Sequence, residues 1–250
     1  MAGKKKSELI LGFHSVGEAL KAGVRRFDTI YIADSRSAKR AQKIGDMAAR
    51  QGIPVKTMPM KKLDELAKAP IHQGIVASVS PFPLMSAPRA LEELEVLKTP
   101  FLVLVLENIE DPHNLGALIR TALCTGVDYI MVPKDRAALP SPTVSRASAG
   151  AMEHAKICPI TNTRNTLIEL KQLGAWVAGL DAAGTKDLAQ ADLTGNMALV
   201  VGGEHKGIRP LVKKECDFLV SIPIAGPVNS LNASVAGGMA MYEALRQRTV

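Results

Sequence analysis

Phe101–Leu106, FLVLVL, runs six apolar residues without a polar break. A strand with one face in water alternates polar and apolar side chains. An unbroken run must be buried on both faces, which is the situation of a parallel strand between two layers of helix. The downstream pattern agrees. Helical periodicity at Leu115–Thr125, Val144–Ala149, Arg164–Leu173, Arg209–Lys213 and Leu231–Arg246 alternates with strand-like segments at Tyr129–Val132, Lys156–Ile160, Ala175–Leu180, Met197–Val201 and Phe218–Ile222. This alternation predicts an α/β domain with a parallel sheet. Ligands of such sheets sit beyond the carboxyl ends of the strands.

The first third of the chain reads as a smaller α/β module. Helices are expected at Gly12–Ala22, Ser37–Gln51 and Lys61–Ala67, and strands at Thr29–Ala33, Pro54–Met58 and Gly74–Val79. Four prolines between Pro81 and Pro100, around the acidic Glu92–Glu95, predict a linker with one short helix. The expected division is thus a module at 1–80, a linker at 81–98 and a sheet domain at 99–250. Charge follows it. Residues 1–80 hold 15 Lys and Arg against 7 Asp and Glu, a net +8, whereas residues 81–250 hold 16 against 17. A basic module joined to a near-neutral one suggests a polyanion-binding part, with nucleic acid the favoured partner. The module's few aromatics, Phe13, Phe27 and Tyr31, make no base-stacking stripe, so recognition would lean on phosphates and shape.

No apolar run reaches the roughly 18 residues of a membrane span. The basic start Lys4–Lys6 lacks a following apolar stretch, so no secretory signal peptide is expected. Cys124, Cys158 and Cys216 form no CxxC pair and have apolar neighbours, which predicts reduced, buried thiols in a cytoplasmic protein. No His or Cys stands at metal-ligand spacing, and no metal site is expected.

Three polar clusters each follow an expected strand. In Glu107–Arg120, Asn114 stands at a helix start and Arg120 lies six residues on among Leu118, Ile119 and Ala122. Asn114 reads as an N-cap, and Arg120 as a surface cation or a group aimed at an anionic partner such as phosphate. In Val200–Pro210, Gly202, Gly203 and Gly207 would let backbone approach a ligand, with Glu204 as a hydrogen-bonding or helix-start carboxylate. The third, Ser221–Ala236, crowds Asn229, Ser230, Asn232 and Ser234 around Leu231, more polar groups than one helix cap requires. Ile222 and Leu231 flank the turn and are placed either to sandwich a flat ring or to join the core. Spacing alone gives a pocket built by three strand-end loops, with its ligand unspecified.

Taken together, the clusters resemble the SpoU (TrmH-type) RNA ribose 2′-O-methyltransferases. The motifs that match are Asn114 and Arg120 in DPHNLGALIRTA, the G-x-E-x-x-G of Gly202, Glu204 and Gly207, and IPIAGPVNSLNASVA at 222–236. The segment VPKDRAALPSPTVSRASAGAMEH is similar to the branch that methylates a guanosine of large-subunit ribosomal RNA. The resemblance implies an N-terminal substrate-binding domain of the ribosomal-protein L30 type. It also implies a C-terminal α/β domain tied in a deep trefoil knot and a cytoplasmic homodimer formed through that domain. S-adenosylmethionine would be the methyl donor. Carried onto this chain, Gly202, Ile222 and Leu231 would contact the cofactor, and Asn114, Arg120, Glu204, Ser230 and Asn232 would form the catalytic pocket. Arg120 would act as the base the family is proposed to use, or grip the adjacent phosphate. The alternatives are a transfer-RNA ribose methyltransferase and a non-catalytic RNA-binding protein of ribosome assembly.

Overall fold

A computed structural model describes residues 7–34, 39–68, 71–204 and 206–249. The Lys4–Lys6 run, the expected helix start at Ser37 and His205 lie outside them. The chain separates into one compact unit of Met1–Pro83 with Pro140–His154, and another of Leu84–Leu139 with Ala155–Val250.

The first unit carries a four-stranded sheet in the order β1-β4-β2-β3, from β1 (Glu8–Leu11), β2 (Phe27–Ala33), β3 (Val55–Met58) and β4 (Ile75–Val79). The β2–β3 pair is parallel, and β4 is antiparallel to both β1 and β2. Helices α1 (Phe13–Ala22) and α2 (Lys39–Arg50) press Val16, Ala19, Leu20, Ala41, Ile44 and Ala48 onto Ile30, Ile32, Ile75 and Ala77 of one sheet face. On the opposite face α3 (Met60–Ala67) buries Leu63 against Ala33 and Val76. Strand β1 has no counterpart among the strands expected from sequence. It is four residues long, and its partner β4 lies about 70 residues away.

Residues 140–154 were expected within 99–250, yet they cluster with this first unit. They form α6 (Pro142–Ala147) and a 3-10 turn at Ala151–His154. The physical reason is a buried ion pair. The Arg25 guanidinium donates to Glu153 at 2.7 and 3.2 Å, to Glu8 at 3.0 Å and to the Ser80 carbonyl at 3.1 Å, and Ser145 Oγ donates to Glu153 at 2.7 Å. Both side chains of the Arg25–Glu153 pair are fully inaccessible.

The second unit holds seven strands, all parallel, in the order β7-β6-β5-β10-β8-β11-β9. They are β5 (Leu102–Glu107), β6 (Tyr129–Pro133), β7 (Ile157–Ile160), β8 (Trp176–Leu180), β9 (Lys186–Asp187), β10 (Met197–Gly202) and β11 (Phe218–Ser221). All six residues of β5 are buried, as the FLVLVL run requires. Helix α4 (Ala87–Glu95) falls in the stretch expected to be a linker. It packs Ala90 and Leu94 on one face of this sheet, beside Leu167 and Leu170 of α7 (Thr163–Gln172) and Val212 of α8 (Pro210–Lys213). Helices α5 (Pro112–Cys124) and α9 (Ala233–Arg248) pack on each other, and α9 lies against β10. The two-residue β9 was not expected either, since Lys186 and Asp187 carry no apolar pattern.

Of the cysteines, Cys158 is buried and Cys216 partly so, and burial pushes both thiols up to about 12. Cys124 corrects the expectation of burial. It ends α5 on its outward face and is exposed. Among the described residues no helix is long and apolar enough to cross a membrane.

Candidate functional site

Strand β10 lies between β5 and β8, so the sheet is built outward in both directions from this place. Where strand order reverses, the loops beyond the carboxyl ends part and leave a crevice. The loops after β5, β10 and β11 are the three polar clusters of the sequence.

The loop after β10 is held by backbone. Gly203 N donates to the Glu107 carbonyl at 2.8 Å and Gly207 N to the Gly203 carbonyl at 2.8 Å, while Asn108 Nδ2 donates to the Gly207 carbonyl at 3.1 Å. A Cβ on Gly202 would stand 2.3 Å from the Gly207 carbonyl carbon, and one on Gly203 2.1 Å from the Asn108 carbonyl oxygen. Neither position accepts a side chain without moving main chain. Beneath the loop Glu107 is fully buried. It accepts from Thr163 Oγ1 at 2.6 Å and pairs with Arg209.

This loop presents Glu204 to two amides. Asn114 Nδ2 donates to Glu204 Oε1 at 3.1 Å, Asn232 Nδ2 donates to Asn114 Oδ1 at 3.0 Å, and Asn232 Nδ2 also donates to Glu204 Oε1. Three loops separated by 28 to 118 residues thus close a hydrogen-bonded triangle. Asn232 is fixed at its other end as the N-cap of α9, where its Oδ1 accepts from Ser234 N at 2.9 Å and Val235 N at 3.3 Å. Asn114 caps nothing. Asp111 is the N-cap of α5, accepting from His113 N at 2.9 Å with Pro112 following. The Asn114 side chain is therefore free to cross to Glu204. Glu204 Oε2 has no hydrogen-bond partner among the described residues.

Two clefts meet at this carboxylate. One, of about 260 Å³, is lined by Gly202, Gly203, Glu204, Ile222, Ser230, Leu231 and Asp181, with Ala233 and Ala236 of α9. The other, of about 400 Å³, is lined by Asn108, Glu110, Asp111, Asn114, Glu204 and Lys206. The first has a side-chain-free glycine floor and apolar walls, Ile222 and a half-exposed Leu231, which suits a flat ring with polar appendages. The second is polar and open, and its carboxylates and amides suit the hydroxyls of a sugar. Among the described residues no group of three or more His, Cys, Asp or Glu side chains is arranged to hold a metal ion.

Arg120 stands apart from both clefts. It is exposed on α5, and helix geometry sets it about 120° round the axis and about 9 Å along it from Asn114. Asp181 is a lining residue that none of the three sequence clusters contains. Burial works to raise its pKa, but hydrogen bonds from Lys213 and the Ala183 N–H outweigh it and hold the carboxyl below its ordinary value. Its position immediately after the β8 run was the available signal.

Residues 101–242 match the SpoU rRNA Methylase family, and residues 9–85 match the family described as RNA 2′-O ribose methyltransferase substrate binding. The chain is 40% identical over 243 residues to the 23S rRNA (guanosine-2′-O-)-methyltransferase RlmB of Pseudomonas putida, covering 97% of this chain and 98% of that one. It is 39% identical to a TrmH family tRNA/rRNA methyltransferase, YacO, of Bacillus subtilis, covering 98% and 97%. The structure superimposes on the SpoU methyltransferase AviRb of Streptomyces viridochromogenes, solved in complex with AdoMet, with a TM-score of 0.78 at 26% identity, covering 97% of this chain and 91% of that one.

Proposed function

The chain belongs to the SpoU rRNA methylase family, and we propose that it moves the methyl group of S-adenosylmethionine to the 2′-hydroxyl of a guanosine ribose in large-subunit ribosomal RNA. The observation that carries this reading is the shared carboxylate: Glu204 lines both clefts, so a donor in one and an acceptor in the other would meet across it.

The cofactor supplies a methyl group already activated by its sulfonium, so no metal is required. Gly202 and Gly203 admit it by their bare backbone, Ile222 and Leu231 offer apolar faces to its ring, and Asp181 and Ser230 offer hydrogen-bonding groups. A ribose hydroxyl is a weak nucleophile at neutral pH and has to be oriented and relieved of its proton or stabilised as it loses it. Asn114 and Asn232 hold Glu204 by one oxygen and leave Oε2 to accept from a ribose hydroxyl.

Arg120 belongs to this pocket only if a second copy brings it. It shares its α5 face with exposed Leu123 and Cys124, and α9 beside it exposes Val235 (50%), Met239 (45%) and Tyr242 (63%) at helical spacing. A contiguous apolar face of this kind marks an interface, and it supports a homodimer in which Arg120 of each copy grips the RNA phosphate at the other's site. Membership of the family and the likeness to a solved SpoU methyltransferase support the trefoil knot expected in 99–250. The basic first unit supports RNA binding there, and a ribosomal-RNA substrate supports a cytoplasmic location.

The test is transfer of label from S-adenosylmethionine to unmodified large-subunit ribosomal RNA, with transfer RNA alongside, followed by nuclease mapping. Label at one guanosine ribose of the large-subunit RNA is expected. Label in transfer RNA alone overturns the substrate, and cofactor binding without transfer to either overturns the reaction. Mixing Arg120→Ala with Glu204→Gln protomers should restore one working site per mixed dimer, and no restoration would return Arg120 to its own chain's site.

A further inference from the structure

Of the net +8 of residues 1–80, +5 falls in residues 39–68. In residues 7–34 every cation is ion-paired: Lys21 with Glu18, Arg25 with Glu153 and Glu8, and Arg26 with Asp28. In residues 39–68 the balance is eight Lys and Arg against three acids. Two of those acids are already engaged, Asp46 by Gln42 and Asp64 by His72. Arg40, Lys43 and Arg50 on α2, Lys56 on β3, and Lys61 and Lys62 on α3 are all exposed, and none has a carboxylate within salt-bridge distance among the described residues.

Topology gathers these side chains. Strand β3 is a sheet edge paired only with β2, α2 enters it from one face of the sheet and α3 leaves it over the other. Along α2 the positions 40, 43 and 50 fall within about 80° of arc, because spacings of three and seven residues return to one helix face. The opposite edge, β1, is covered by α6. A lysine on an exposed edge strand commonly serves only to prevent pairing with another chain. Lys56 alone would do that, and the helical stripe beside it goes further. Residues 39–68 contain no aromatic side chain, so the surface offers charge without a stacking platform.

We infer that the β3 edge with its flanking α2 and α3 stripes is the surface on which this unit holds RNA, gripping the phosphates of a folded segment by shape and charge without reading bases. The inference rests on the RNA substrate of the proposed function and names the face that holds it.

The test compares full-length wild-type protein, Arg40→Gln/Lys43→Gln/Arg50→Gln and, as a control in the same unit, Lys21→Gln/Arg26→Gln. Binding to an unmodified large-subunit RNA transcript is measured from about 50 to 200 mM salt. Glutamine keeps helix propensity, so the fold should be retained, and circular dichroism verifies it. Every phosphate that is no longer neutralised by a cation takes about 0.7 to 0.9 off the slope of log affinity against log salt. The α2 triple should therefore flatten it by about 2 to 3, raising KM for RNA with kcat preserved, while the control stays close to wild type. Lys56→Gln/Lys61→Gln/Lys62→Gln should behave like the α2 triple. Slopes unchanged in both triples, or an equal drop in the control, overturn the surface. Because binding is read separately, absence of methyl transfer by the wild type would overturn the reaction and leave the surface to be judged by its slopes.

Discussion

Asn232 does two jobs with the two ends of one amide, and substitutions separate them. Its Oδ1 caps α9 through Ser234 N and Val235 N, and its Nδ2 ties Asn114 and Glu204 together. Asn232→Ala loses both. Removing an N-cap costs about 1 kcal/mol, which for a chain of this size lowers Tm by about 2–4 °C. Asn232→Ser keeps a capping oxygen, so its Tm should match wild type, but it has no second donor to span to Glu204. With the carboxylate no longer held by two amides, turnover should fall about 100-fold, the usual cost of an ångström's misplacement. Asn232→Asp keeps the cap equally well and sets a second carboxylate against Glu204. Two like charges about 4 Å apart repel by about 1 kcal/mol in water and about 4 kcal/mol at an effective dielectric of 20. This variant should be the least active of the three, and because the repulsion exists only in the folded chain it should also be less stable than wild type at pH 7. Thermal unfolding monitored by circular dichroism and single-turnover methyl transfer read the two effects independently. Turnover of Asn232→Ser within about threefold of wild type would refute the positioning role of the triangle. A Tm for Asn232→Ser as low as that of Asn232→Ala would refute the capping account.

Three further expectations concern other parts of the chain. Glu153→Gln leaves the inaccessible Arg25 guanidinium with the partly exposed Glu8 as its one remaining carboxylate and should destabilise the first unit by up to about 3–5 kcal/mol in urea unfolding, whereas Arg25→Met/Glu153→Met should recover much of that; equal losses in single and double variants would contradict it. Gly203→Ala drives a methyl group against the Asn108 carbonyl and, by displacing main chain, should lower Tm as well as weaken S-adenosylmethionine binding at least tenfold by calorimetry, and unaltered affinity and Tm would show that the loop yields freely. Hydrogen bonds from Tyr129 and Lys156 hold the Glu93 carboxyl down at about 2, below its ordinary 4.5. A depressed acid stabilises above its unfolded value and loses that contribution as pH falls through its folded one. Glu93→Gln should thus be less stable than wild type at pH 7, with the gap closing between about pH 4.5 and 2; a constant gap would remove Glu93 from the account.

Much of the second unit was legible because its signals are local. FLVLVL is β5, Tyr129–Val132 lies within β6, and Met197–Val201 lies within β10, each buried as an unbroken apolar run demands. The glycines at 202 and 203 and the amides at 114 and 232 were equally visible as residue types. What failed was whatever depended on a distant partner. Strand β1 is ordinary in composition and is a strand because Glu8–Leu11 pairs with Val76–Val79 of β4. Lys186 and Asp187 join the sheet by pairing with Val220 and Ser221, with the Lys186 ammonium 5.1 Å from the Phe218 ring centre. Residues 140–154 read as part of the sheet domain, and their contacts with α1 and β1, with Glu153 buried against Arg25, send them to the other unit.

The sequence by itself determined the class of fold, the basic and neutral division, and the residue types of the three loops, since apolar period, charge and glycine are properties of neighbours along the chain. Tertiary structure decided that β10 slots between β5 and β8, and with it that Glu204 stands where Asn114 and Asn232 reach it and Arg120 does not. Strand order is set by which buried faces and backbone edges satisfy one another across the whole sheet, and no window of sequence contains that competition.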